Sequence, residues 1–177
     1  GWDVEFADSR ISRAVESEKP IILVTSHRRE NLGEMEGIGR AIRAIATRYP
    51  DFQLVLPLHP NPMVRNPIES EVKGVENILV TAPLPYDQFT GLMRSAALIL
   101  TDSGGIQEEA PALGVPVLVM RSNTERPEAL EAGTVKLIGS DWEGIVREVS
   151  HLLNNDKSYR KMVHAINPYG DGQAAAR

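Results

Sequence analysis

The stretch ALILTDSGGIQEEA, residues 97–110, changes character at Thr101. Its first five residues form an apolar run with no polar alternation, the pattern of a strand covered on both faces as in a parallel sheet. The next four, Asp102-Ser103-Gly104-Gly105, cannot extend that strand. They form a turn from which a helix is expected to start near Gly105. A buried strand, a glycine turn and a helix make the first half of a βαβ unit.

Working outward, five more short apolar runs repeat the signal: Ile21–Thr25, Phe52–Leu58, Asn77–Val80, Val115–Met120 and Thr134–Ile138. Helical stripes separate them. Ile38, Ile42, Ile45 and Tyr49 lie on one face, Phe89, Leu92, Met93 and Ala96 on another, and Trp142, Ile145, Val149, Leu152 and Leu153 on a third. Strand alternating with helix predicts an α/β fold with a Rossmann-like, doubly wound parallel sheet over residues 20–177. Residues 1–19 are polar and only partly periodic, so a lead-in helix or linker is expected there.

Composition narrows the chemistry. A net charge of −5 over 177 residues argues against a broad nucleic-acid footprint, although Arg28 and Arg29 could still meet a phosphate. With no cysteine there are no disulfides and no zinc-thiolate sites, which fits a cytoplasmic chain. No apolar run approaches the ~20 residues that span a membrane, and the first residues do not read as a signal peptide.

In an open α/β sheet ligands bind outside the carboxyl ends of the strands. At the DSGG turn, glycines let backbone N–H groups approach an anion, and the helix dipole favours phosphate there. Ser103 adds a hydroxyl, though a plain serine N-cap would look the same in sequence. Glu109, one turn further on, could accept from a ribose diol, and the adjacent Glu108 leaves open which carboxylate faces the site. After the first run, Ser26-His27-Arg28-Arg29-Glu30-Asn31 offers a proton donor or phosphate ligand at His27. His59-Pro60-Asn61-Pro62 reads as a proline-stiffened loop. In RSNTER, residues 121–126, Arg126 could neutralise a diphosphate, with Thr124 and Glu125 bordering a sugar. Gly37-Ile38-Gly39 is no dinucleotide fingerprint, there is no Walker sequence, and the histidines lack metal-site spacing.

Together SHRREN (26–31), HPNP (59–62), TDSGGIQEEAPALGVPVLVMR (101–121), TERPEA (124–129) and NPYGDG (167–172) resemble the non-hydrolysing UDP-N-acetylglucosamine 2-epimerases, in their C-terminal half. The resemblance implies the C-terminal domain of a GT-B-like two-domain enzyme, homodimeric, with no metal or redox cofactor. Such enzymes interconvert UDP-GlcNAc and UDP-ManNAc by eliminating UDP to 2-acetamidoglucal and adding it back with C2 inverted. Carried over, Ser103, Gly104 and Gly105 would hold the diphosphate, Glu109 the ribose, Phe89 the uracil border, and Arg126 the phosphates or sugar. His27 would sit at the leaving UDP. Arg28, Glu30 and His59 resemble contacts to a second, allosteric UDP-GlcNAc. The carboxylates that move the C2 proton belong to an N-terminal domain outside this chain, and the final helix after NPYGDG is expected to stop short at Ala174–Arg177. The chain is therefore expected to be a domain without turnover of its own. A GT-B glycosyltransferase half and a non-catalytic UDP-binding module are the rival readings.

Overall fold

The computed structural model describes residues 4–165. Six parallel strands form a single sheet: β1 (Ile21–Thr25), β2 (Gln53–Pro57), β3 (Ile78–Thr81), β4 (Ala96–Thr101), β5 (Val117–Val119) and β6 (Val135–Leu137), in spatial order β3-β2-β1-β4-β5-β6. All six expected runs are strands, most trimmed or shifted by one or two residues.

Each run is apolar throughout because its side chains alternate between two cores. On one face Ile22, Val24, Leu54, Leu56, Leu98, Leu100 and Leu118 meet α2 (Met35–Arg48), α3 (Pro62–Val72) and α7 (Trp142–Asn154). On the other, Ile21, Leu23, Val55, Ile99, Val117 and Val119 meet α1 (Ser9–Glu16), α4 (Tyr86–Ser95), α5 (Gly104–Ala112) and α6 (Pro127–Ala132). A last helix, α8 (Asp156–Val163), lays Tyr159 and Met162 against the first core. Helix α1 is part of the second core, since its Ile11 and Ala14 are buried there. At about 1.5–3 kcal/mol for a fully buried aliphatic side chain, removing Ile11 would be felt across that face.

One local departure from the sequence expectations has a clear cause. HPNP is not simply a loop, for Asn61 caps α3 by accepting from the Met63 N–H at 3.0 Å, and Pro62 takes the first helical position. There the missing proline N–H costs nothing. The Gly37/Gly39 pair lies inside α2, where a Cβ on Gly39 would come within 3.1 Å of the Ile68 backbone. That glycine lets α2 and α3 approach closely. The NPYGDG motif and Ala174–Arg177 lie outside the described residues.

Candidate functional site

The strand order reverses direction between β1 and β4. From β1 the chain moves outward to β2, and from β4 to β5, so the loops after Thr25 and Thr101 diverge and leave a crevice at the switch point. Thr25 and Thr101 are in register there, and their hydroxyls share a 2.7 Å hydrogen bond. The Ser103 N–H donates to Thr101 Oγ1 at 3.0 Å, which bends the chain into α5.

Asp102 organises the crevice. It is fully buried, and an isolated carboxylate there would be costly unless its oxygens were satisfied. They are. Ser26 Oγ donates at 2.9 Å, the His27 and Arg28 N–H groups at 3.1 Å, and Asn31 Nδ2 at 3.2 Å. Asn31 Nδ2 also donates to Met120 O at 3.0 Å, so one buried amide joins the loops after β1, β4 and β5. His27 is thus held by its backbone while its half-exposed ring reaches the crevice, with Nδ1 3.6 Å from Asp102 Oδ1. Sequence reasoning passed over Asp102 and Asn31. The available signal was an acidic residue placed directly after a fully buried strand.

A cavity of about 300 Å³ fills the crevice, and His27, His59, Phe89, Ser103, Gly105 and Glu109 all line it. Six of the ten residues singled out in the sequence therefore face one space. Pro83, Leu84 and Phe89 give it an apolar wall at the start of α4. Glu109 is the carboxylate that faces in, and Tyr86 Oη donates to its Oε2 at 3.3 Å. Glu108 instead pairs with Arg126. His59 Nδ1 accepts from the Asn61 N–H at 3.1 Å, which assigns its proton to Nε2. Ser103 stands at the N-cap of α5 yet makes no side-chain capping bond, so its hydroxyl and the first N–H groups of the helix have no cap between them. Cavities of about 380 Å³ between α1 and α4 and about 720 Å³ along β3 lie away from the carboxyl edge. Among the described residues no group of three His, Cys, Asp or Glu could hold a metal ion, and no helix is long and apolar enough to cross a membrane.

Gly104, Arg28, Glu30 and Arg126 lie beside the cavity, within a charge network. Buried Arg121 reaches Glu30 Oε1 at 3.0 Å and Glu125 Oε2 at 2.7 Å, while Arg28 pairs with Glu30 at 2.9 Å and approaches Glu125 at 3.6 Å. The hydrogen bond from Arg121 is the largest influence holding the Glu125 carboxyl below its ordinary value. Thr124 Oγ1 donates to the fully buried Gln107 Oε1 at 2.7 Å and accepts from the Arg126 N–H at 3.0 Å. The RSNTER loop is thereby fastened to α5. Arg126 does not point into the cavity: Glu108 engages its Nε, and its Nη2 lies 3.9 Å from a Cβ built on Gly104.

The family model described as UDP-N-acetylglucosamine 2-epimerase matches residues 3–177. An Escherichia coli K12 relative named UDP-N-acetylglucosamine 2-epimerase is 53% identical over 164 residues, covering 92% of this chain and 44% of its own length. A Neisseria meningitidis UDP-GlcNAc 2-epimerase solved with UDP-GlcNAc superposes with a TM-score of 0.87 at 45% identity, covering 95% of this chain and 47% of that one. The C-terminal domain of a Francisella tularensis group 1 glycosyltransferase shares the fold, with a TM-score of 0.71 at 18% identity over 94% of this chain and 90% of that domain. The chain thus spans less than half the length of the epimerases it matches.

Proposed function

The chain belongs to the UDP-N-acetylglucosamine 2-epimerase family, and from that membership we propose that residues 20–177 form the UDP-binding domain of an enzyme that interconverts UDP-GlcNAc and UDP-ManNAc. Residues 1–19 lead into it. The observation that carries the reading is the convergence of His27, Ser103 and Gly105 of the uncapped turn, and Glu109 on one cavity at the β1/β4 switch point.

Each group has a task that its position suits. N–H groups at the start of α5 and the Ser103 hydroxyl receive the diphosphate, where the helix dipole favours negative charge. Glu109 accepts from the ribose hydroxyls, and Phe89 with Leu84 and Pro83 borders the base. His27 stands on the other side of the crevice, held through Asp102. In the proposed reaction the C2 proton leaves the sugar as the C1–O bond breaks, giving 2-acetamidoglucal and UDP. Negative charge develops on the departing phosphate, and a donor positioned there stabilises it. His27 supplies that donor, and re-addition with protonation from the opposite face of C2 completes the inversion. As the family resemblance implies, the base for C2 belongs to the complementary half, which closes the cleft. Arg126 serves the phosphates only after leaving Glu108. Arg28 and Glu30 beside the cavity, with His59 in its wall, are the contacts for a second nucleotide sugar, and the complete enzyme is a homodimer.

The test has two stages. UDP titrated into the chain should move the amide resonances of residues 101–109, His27 and Tyr86; no movement at millimolar UDP would refute the assignment. The chain alone should not epimerise UDP-GlcNAc, whereas adding the complementary half should restore turnover. His27→Ala should then lower the rate by roughly 10²–10⁴-fold, the range of positioned acid–base groups. Turnover by the chain alone would place a base within it and overturn the division of labour.

A further inference from the structure

We propose that Glu125 is an internal competitor for the diphosphate: its carboxylate rests on the Gly104 turn in this conformation and must leave before a phosphate can settle there. This rests on the diphosphate reading of that turn. Glu125 Oε1 lies 2.5 Å from a Cβ built on Gly104, so any larger residue at 104 would displace it. Its other oxygen takes the Arg121 hydrogen bond at 2.7 Å, and Arg28 stands 3.6 Å from Oε1. The position is built rather than incidental. Thr124 and Arg126, on either side, are tied to each other and to buried Gln107 of α5, so the loop delivers residue 125 to the start of that helix.

Charge sets the carboxylate against an incoming phosphate. Arg28, Arg121 and Arg126 are the cations around the turn, and Glu30, Glu125 and Glu108 are paired with them. A diphosphate brought to the turn meets arginines that are already neutralised and a carboxylate in the same space. Glu125 is the acid lying on Gly104, it is anionic at neutral pH as any ordinary glutamate is, the Arg121 hydrogen bond holds its carboxyl lower still, and its side chain is exposed enough to swing outward. Its departure relieves repulsion and uncovers Arg121 Nη1, while Glu30 still pairs the Arg121 Nε. Glu125 would therefore set how tightly phosphate-bearing ligands are held, and would leave a neutral nucleoside unaffected.

Glu125→Gln keeps the shape and removes the charge. Calorimetric or NMR titrations of wild type and variant with UDP, inorganic pyrophosphate and uridine separate the possibilities, with thermal melts to confirm equal folding. UDP and pyrophosphate should bind the variant roughly three- to tenfold more tightly, the scale of one unit-charge repulsion at ~4 Å in high dielectric. Their affinity should also fall more steeply between about 50 and 200 mM salt, because the exposed cationic charge is screened. Uridine should bind both proteins alike. Equal or weaker UDP binding by the variant, with wild type binding UDP, overturns the proposal while sparing the nucleotide reading. If wild type fails to bind UDP, the nucleotide reading falls and pyrophosphate alone judges Glu125, equal affinities again overturning it.

Discussion

Replacing Gly105 with alanine separates ligand binding from folding at the site's central turn. Gly105 is the second residue of α5, its φ lies outside the left-handed region, and the nearest neighbour of a built Cβ is Ser103 Oγ at 3.9 Å. The protein therefore tolerates the methyl without strain. Alanine is favoured over glycine in a helix by up to ~1 kcal/mol, less in the first turn, so stability should hold or rise by about 0.5 kcal/mol. The methyl projects beside a residue that lines the cavity, where, if the proposed reading holds, a phosphate comes within ~3 Å of backbone N–H groups. Losing one charge-assisted hydrogen bond costs about 1.5–3 kcal/mol, so UDP affinity should fall roughly ten- to a hundredfold. Urea denaturation measures the first quantity and UDP titration the second. Unchanged UDP affinity in Gly105→Ala would mean that the turn does not touch the phosphates, and a stability loss above ~1 kcal/mol would refute the packing argument.

The neighbouring carboxylates should behave oppositely. Glu109→Ala should weaken UDP by about 1.5–3 kcal/mol in the same titration, whereas Glu108→Ala should leave affinity unchanged or raise it by freeing Arg126; a larger loss from Glu108→Ala would reverse the assignment. Asp102→Asn turns an amide NH₂ toward partners of which the His27 and Arg28 N–H groups and Asn31 Nδ2 can only donate, so urea denaturation should show a loss of about 3 kcal/mol, and a loss below ~1 kcal/mol would contradict its role as the hub. Burial raises the Tyr159 hydroxyl above its ordinary value of 10.0, and that hydroxyl donates to Ala97 O. The folded chain therefore holds this proton more tightly than the unfolded one, a stabilisation complete below pH ~10 and lost as pH rises through the folded value. Tyr159→Phe should be less stable at neutral pH by about 1 kcal/mol and lose less stability above pH ~10; parallel pH profiles would count against this.

The six strands and the long helices α2, α4 and α7 were legible because their signals are local. A strand buried on both faces must be apolar at every position, and an amphipathic helix must repeat every three to four residues. Helix α3 was hidden because His59-Pro60-Asn61-Pro62 reads as a proline-stiffened loop, although Pro62 sits where its missing N–H is harmless. Helix α6 is only six residues long and α8 is short and mostly polar, so their packing shows only in three dimensions. Strand ends similarly disclosed His27, His59 and the Ser103-Gly104-Gly105 turn, since polar residues that come after a buried strand have to emerge at its edge.

What no linear pattern carries is which of those ends meet. Placing β1 beside β4 puts His27 across from Ser103 and brings Asp102 to donors 71 to 76 residues away. It is tertiary packing, too, that turns Glu109 into the cavity and Glu108 toward Arg126, and that lays Glu125 on Gly104. Burial imposes a composition on each segment separately, and composition can be read in sequence. Hydrogen bonds and ion pairs between loops depend on the order in which the strands assemble, and many orders satisfy the same runs of apolar residues.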